Sequence, residues 1–274
     1  MTINCTTKFF LLISAKISYR QALMRRCFLF VLLINSICCH AMGPKLNWDT
    51  AVENAINRYG SPEEPKLINW FKHSGVAYPP RELALLAFKQ ERVLQLWARD
   101  ENTSWHYIHA YPLTAFSGRL GPKLKEHDLQ IPEGLYRLTS LNPFSSMHLS
   151  MMIDYPNGFD RLQASRDGRN HLGSNIFLHG KSLSVGCLAV GNKAIDQLFL
   201  LVHRVGLSHV RLIISPNDLR RGKPATPNFA QPRWLPDLYR QIEHALHQFP
   251  LNDYDYSSSL ATTKMPGAFR KYSW

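Results

Sequence analysis

Past residue 39 the chain contains a single cysteine, Cys187; the other four, Cys5, Cys27, Cys38 and Cys39, all lie in the first 39 of its 274 residues. A disulfide framework is therefore excluded for the body of the protein. Nor is there an apolar run of the roughly 20 residues that a membrane span needs. Zinc-finger spacing, a Gly-rich phosphate loop, internal repeats and blocks of Lys/Arg are all missing, which argues against nucleic acid and nucleotide partners and leaves no cofactor or metal to expect. Charge is in surplus on one side only, with 32 Lys+Arg against 20 Asp+Glu.

The first 41 residues have the layout of an export signal. Arg25-Arg26 form a basic region, Cys27 to Cys39 is an apolar stretch, and His40-Ala41 precede Met42 as a cleavage site. Met24, directly before the two arginines, is a candidate start. The alternative is an uncleaved inner-membrane anchor. Removal of 1–41 takes away five basic residues (Lys8, Lys16, Arg20, Arg25, Arg26) and no acidic ones, leaving 27 against 20, a charge of +7. That surplus suits a carboxylate-rich partner or simple solubility.

The remainder divides into a helical extension (42–81), a main domain (82–215), and a Pro-rich connection with a terminal helix and tail (216–274). Two short helices are predicted at 49–59, stopped by Gly60, and at 62–73. Strands are predicted at 82–88, 92–98, 105–117, 134–139, 147–153, 176–178 and 208–215, with helices at 192–205 and 235–247. The pattern is that of a mainly β domain with helices at its ends.

Within the main domain, residues 176–190 carry the chemistry. The short apolar run Ile176 to Leu178 delivers His179-Gly180, and Ser184, Val185 and Gly186 lead into Cys187. A thiol is a good nucleophile only as thiolate, and histidine is the usual base. Glycines at 180 and 186 allow close backbone approach. A thiol activated in this way is expected to alkylate rapidly at pH 7, and more slowly in His179→Ala. A zinc site built on His179 and Cys187 would lack two ligands. Ser184 is a candidate for orienting the loop, or a simple Ser turn. Lys123, Lys125 and Lys181 read as solvated surface lysines before they read as carboxylate-binding groups. Pro132-Glu133-Gly134 reads as a turn and His148 as an outward strand residue. Asp154 and Asp160 are both open as partners of His179. His106, His109, His203 and His209 are scattered without metal spacing.

His179-Gly180 and Ser184-Val185-Gly186-Cys187 resemble the catalytic motif of the L,D-transpeptidase (YkuD-type) domain. The segments beginning at Leu120, Gln130, Leu141 and Tyr155 are similar to its compact, YafK-like proteobacterial branch. The resemblance covers about 82–215. It implies a mostly antiparallel β sandwich of the L,D-transpeptidase type, with a cleft over the cysteine loop. It also implies periplasmic acyl transfer on the peptide stems of peptidoglycan, with Cys187 as nucleophile and His179 as proton donor and acceptor. N–H groups around Gly186-Cys187 would hold the oxyanion. Hydrolysis at the same site, for example of the bond between diaminopimelate and a wall-linked outer-membrane lipoprotein, is the alternative; a catalytically silent wall-binding protein is another. Two positions depart from the common pattern: Val185 replaces a histidine, and Ala189 replaces an arginine able to grip a carboxylate.

Overall fold

A computed structural model describes residues 47–101, 103–225 and 230–251. The export signal, its anchor alternative and the tail at 252–274 fall outside the described residues.

Helix α1 (Trp48–Ala55) buries Ala51, Val52 and Ala55. It does not run to Gly60 as a regular helix, as the sequence predicts; it passes into one π turn (Ile56–Gly60), a 3-10 turn (Ser61–Glu63) and then α2 (Glu64–Ser74). Gly60 is not a stop signal. A Cβ there would lie 2.9 Å from Cβ of Leu200, so glycine is what allows this turn to pack closely. Gly75, at φ 69°, ends α2 in the left-handed region.

Among the described residues eight strands follow, in the sheet order β3-β2-β1-β8-β4-β5-β6-β7. They are β1 (Glu82–Phe88), β2 (Val93–Arg99), β3 (His106–Pro112), β4 (Gly134–Asn142), β5 (Ser150–Ile153), β6 (Phe177–His179), β7 (Leu188–Ala189) and β8 (Val210–Ser215). Most neighbours are antiparallel; β1 with β8 and β6 with β7 are parallel. Strand β4 joins the two halves of the sheet. Its first residues, 134–137, pair with β8, and beyond an irregularity near Leu138 its last residues pair with β5. A lone bridge between Ala115 and Ala189 continues the sheet past β7, to the chain just after edge strand β3. The result is a curled mixed sheet with helices against it, in keeping with the mainly β class and flanking helices expected from the sequence.

Strand β1 is a continuous apolar run because both of its faces are covered. Leu83, Leu85 and Ala87 join the cluster containing Leu198, Phe199 and Val202 of α4 (Asn192–Val205). Ala84, Leu86 and Phe88 join the one containing α5 (Leu235–Leu246). Helix α5 presents Leu235, Leu238, Tyr239, Ile242 and Leu246, the i, i+3, i+4, i+7 spacing of one apolar stripe.

The sequence pattern does not predict helix α3 (Gly158–Arg166), although its start signal is present. Asn157 accepts the N–H of Asp160, and the Asp160 carboxylate accepts the N–H of Asn157. Strand β7 is likewise not predicted, since two residues are too few for a periodicity to show.

Beneath the sheet lies an ion pair without solvent contact. Lys89 Nζ is 2.9 Å from Glu133 Oε1, and both side chains have zero exposure. Lys89 also donates to the carbonyls of Gly121 and Ile131, while Glu133 accepts from Gly121 N–H and from the Tyr239 hydroxyl. Every polar atom thus gains a partner, which offsets the cost of burying the charges. Glu133 is therefore more than part of a turn: it ties α5 and the 121–133 loop to the sheet.

Candidate active site

The register of β6 and β7 brings histidine and cysteine together. Leu178 pairs with Leu188 and His179 with Ala189. Side chains alternate along each strand and in-register partners share a face. Phe177, His179, Cys187 and Ala189 therefore lie on one face, and Leu178 and Leu188, both fully buried, lie on the core face. Phe177, His179 and Cys187 line a cleft of about 490 Å3 together with residues of the 142–150 turn and the 183–185 loop.

Histidine 179 is 3% exposed, and its Nδ1 lies 2.6 Å from the carbonyl oxygen of Gly180. A carbonyl has no proton to offer, so Nδ1 carries the hydrogen and Nε2 is left as the basic nitrogen. Burial holds the imidazole below its usual pKa, partly opposed by that hydrogen bond. The group that orients His179 is thus a backbone carbonyl. Asp154 and Asp160 do not take that role: Asp154 accepts the N–H of Arg137, and Asp160 caps α3 and accepts from the Tyr136 hydroxyl.

The Cys187 sulfur accepts a hydrogen bond from Phe177 N–H at 3.4 Å and donates toward the Asn175 carbonyl at 3.9 Å. Among the described residues, no hydrogen bond joins it to His179. Burial pushes the thiol pKa up, and the Phe177 N–H and the positive charge of Lys123 only partly counter that. Both shifts favour the neutral form of their group. Both directions weigh against the expected thiolate that alkylates rapidly at pH 7, because desolvation outweighs the nearby donors.

Both ends of the connecting loop are pinned. Gly180 has no room for a side chain: a Cβ would meet Asn192 Oδ1 and the Met147 carbonyl at 2.9 Å. Asn192 Oδ1 accepts from Lys181 N–H, and the Thr114 hydroxyl donates to the Lys181 carbonyl. At the other end Gly186 adopts φ 99°, where a Cβ would lie 3.0 Å from the Gln130 carbonyl. Ser184 Oγ donates to the Cys187 carbonyl at 2.7 Å, so Ser184 does hold the cysteine turn. Ser117 contributes a contact that the motif alone does not reveal. Its Oγ is 2.9 Å from Ser184 Oγ and accepts the Gly186 N–H at 2.7 Å.

The lysines differ from their surface reading in one case. Lys123 is 7% exposed, pairs with Asp128 at 2.6 Å and donates to the Lys125 carbonyl. The Asp128 carboxylate also collects the N–H groups of Leu124, Lys125 and Gln130, which fold the loop around it and bury the lysine. Lys125 is exposed, and Lys181 is exposed with its ammonium on the Ser146 carbonyl. His148 is not an outward strand residue; it precedes β5 at φ 77° and pairs with Asp196 at 2.6 Å beside the Tyr59 ring. His203 lies 3.2 Å from Glu53, and burial holds His109, stacked on Trp70, at a pKa of about 4. His106 begins β3 and His209 ends a 3-10 turn. No cluster of three His, Cys, Asp or Glu able to hold a metal occurs among the described residues.

The site is thus a cleft at the parallel strand pair of a curled sheet, with a cysteine and a histidine on one face. Residues 82–214 match the family model described as the L,D-transpeptidase catalytic domain, YkuD. The provisionally named L,D-transpeptidase YafK of Escherichia coli, in strains K12 and O157:H7, is 32% identical over 117 residues. That stretch is 42% of this chain and 45% of the relative, so the match spans less than half of either. Among solved structures, the helical cell shape determining protein Pgp2 of Campylobacter jejuni aligns with TM-score 0.41 and 21% identity, covering 50% of this chain and 48% of that one. Bd1075 of Bdellovibrio bacteriovorus aligns with TM-score 0.36 and 21% identity, covering 62% and 57%.

Proposed function

We propose that the protein carries out cysteine-dependent acyl transfer on peptidoglycan peptide stems. The observation that carries this reading is the placement of Cys187 and His179 on one face of the β6–β7 pair, at one cleft, with the histidine proton fixed on Nδ1. Substrate binding brings the sulfur from its Phe177 and Asn175 contacts to Nε2 of His179. Nε2 takes the thiol proton as Sγ attacks the stem carbonyl, and the tetrahedral oxyanion collapses to a thioester. The departing amine takes the proton from His179. An acceptor amine or water then attacks the thioester and gives a proton to Nε2, and the leaving sulfur recovers it.

One observation favours water as the acceptor. Ala189 pairs with His179 and has zero exposure, so no cation stands there to hold the carboxylate of a second stem. Hydrolysis, including release of a wall-linked lipoprotein from diaminopimelate, is therefore the second reading. The assay is mass spectrometry of purified peptidoglycan stems, with and without attached lipoprotein, after incubation with the protein. New cross-links support transfer, and trimmed stems or freed lipoprotein support hydrolysis. No change with wild type, or equal change with Cys187→Ala, defeats both and leaves the silent wall-binding role.

The reading places the protein in the periplasm. Its support is the Arg25-Arg26 pair with the apolar 27–39 stretch. The protein purified from its host should then begin near Met42 and appear in the periplasmic fraction; an intact N-terminus in the membrane fraction would favour the anchor.

A further inference from the structure

Backbone N–H groups next to the nucleophile are the natural donors to a tetrahedral oxyanion. In this loop they are not equally available. Ser184 has one hydroxyl proton, and the Cys187 carbonyl, which can only accept, receives it at 2.7 Å. The 2.9 Å bond between the two serines must then be donated by Ser117. With its proton given to Ser184, the Ser117 oxygen accepts the Gly186 N–H at 2.7 Å. A single directed chain results: Gly186 N–H to Ser117, Ser117 to Ser184, Ser184 to the Cys187 carbonyl. It removes the Gly186 N–H from the pool of oxyanion donors. The Cys187 N–H has no acceptor among the described residues, and its residue lines the cleft.

We propose that Ser117 is a positioning residue that sets the Gly186–Cys187 turn so that the Cys187 N–H serves as the oxyanion donor. The inference rests on Cys187 being acylated, as proposed above. Ser117 reaches the loop because Thr114 and Ala115, just upstream, are already tied to it: Thr114 N–H donates to the Ala189 carbonyl, and Ala115 bridges Ala189. Ser117→Ala breaks the chain at its middle. The Gly186 N–H is then left without an acceptor, and the Ser184 hydroxyl loses its donor. Ser117→Thr keeps the hydroxyl.

The test compares two reactions of the same sulfur at pH 8. Acetylation by p-nitrophenyl acetate passes through a tetrahedral oxyanion; alkylation by iodoacetamide does not. Both are counted at Cys187 by peptide mass spectrometry, with Cys187→Ala as background. Ser117→Ala should slow acetylation at least about tenfold, short of the ~10²–10³ lost with an oxyanion donor itself. Alkylation should stay within about twofold, and Ser117→Thr should recover acetylation to within about threefold. Unchanged acetylation, equal loss of both reactions, no recovery in the threonine variant, or a wild-type Cys187 that the ester does not acetylate would each overturn the proposal. The ester arm decides it even where peptidoglycan stems remain untouched, so failure of the functional reading is separately visible.

Discussion

A neutral thiol beside a neutral imidazole makes a sharp kinetic prediction. Burial raises the Cys187 pKa and lowers that of His179, and no hydrogen bond joins them among the described residues. An ordinary exposed thiol, with a pKa of about 8.5, is ~3% thiolate at pH 7. Cys187 should lie below that fraction, whereas a preformed thiolate–imidazolium pair would be wholly ionised, a difference of about thirtyfold or more. The assay is the rate of alkylation by iodoacetamide across pH 5 to 10. It should climb about tenfold per unit between pH 6 and 8 and show no plateau at neutral pH. His179→Ala should change that curve by less than about twofold, because the uncharged ring neither holds the sulfur nor supplies a field. The same variant should lower acyl transfer by about 10²–10⁴, the usual size of a lost general base. A fast plateau below pH 7 that disappears in His179→Ala would refute this and restore the ion-pair picture.

Gly186→Ala should destabilise the protein by about 1–2 kcal/mol from its positive φ alone. The 3.0 Å approach to the Gln130 carbonyl adds to that and should remove activity first; thermal melting and acylation together check it. Lys89→Met leaves Glu133 charged and fully buried, and should cost about 3–5 kcal/mol in urea unfolding, far more than Arg81→Met at the exposed Arg81–Glu101 pair. Asp160, raised to a pKa of about 6 chiefly by burial, is held more favourably as the neutral acid. Its contribution is full below about pH 4 and is lost as pH rises through 6, a swing of ~3 kcal/mol. Asp160→Asn should remove that slope from the stability-versus-pH curve, and an unchanged slope would show that another group carries it.

The chemistry of the site was legible in a short stretch of chain because its signal is local. His179, Ser184, Gly186 and Cys187 fall within nine residues, and their types are those that nucleophile, base and tight turn require. The apolar runs at β1 and β8 and the striped helices α4 and α5 could likewise be read, since burial writes a period into sequence. The capping pair Asn157 and Asp160 is equally local, but α3 buries Asp160, Gln163 and Ala164 rather than an apolar stripe, so no period marks it. What the residues could not disclose depends on distance along the chain. Ser117 meets Gly186 across 69 positions, and Lys89 meets Glu133 across 44. No local pattern distinguishes such a serine from a turn residue, or such a lysine from a solvated one. Lys123 misled for the same reason, because its burial is created by the carboxylate of Asp128 folding a loop around it. The sequence by itself therefore determined which atoms are available to react. Only the tertiary structure decided their protonation, since the pKa of Cys187 and of His179 follows from how deeply the curled sheet removes each from water.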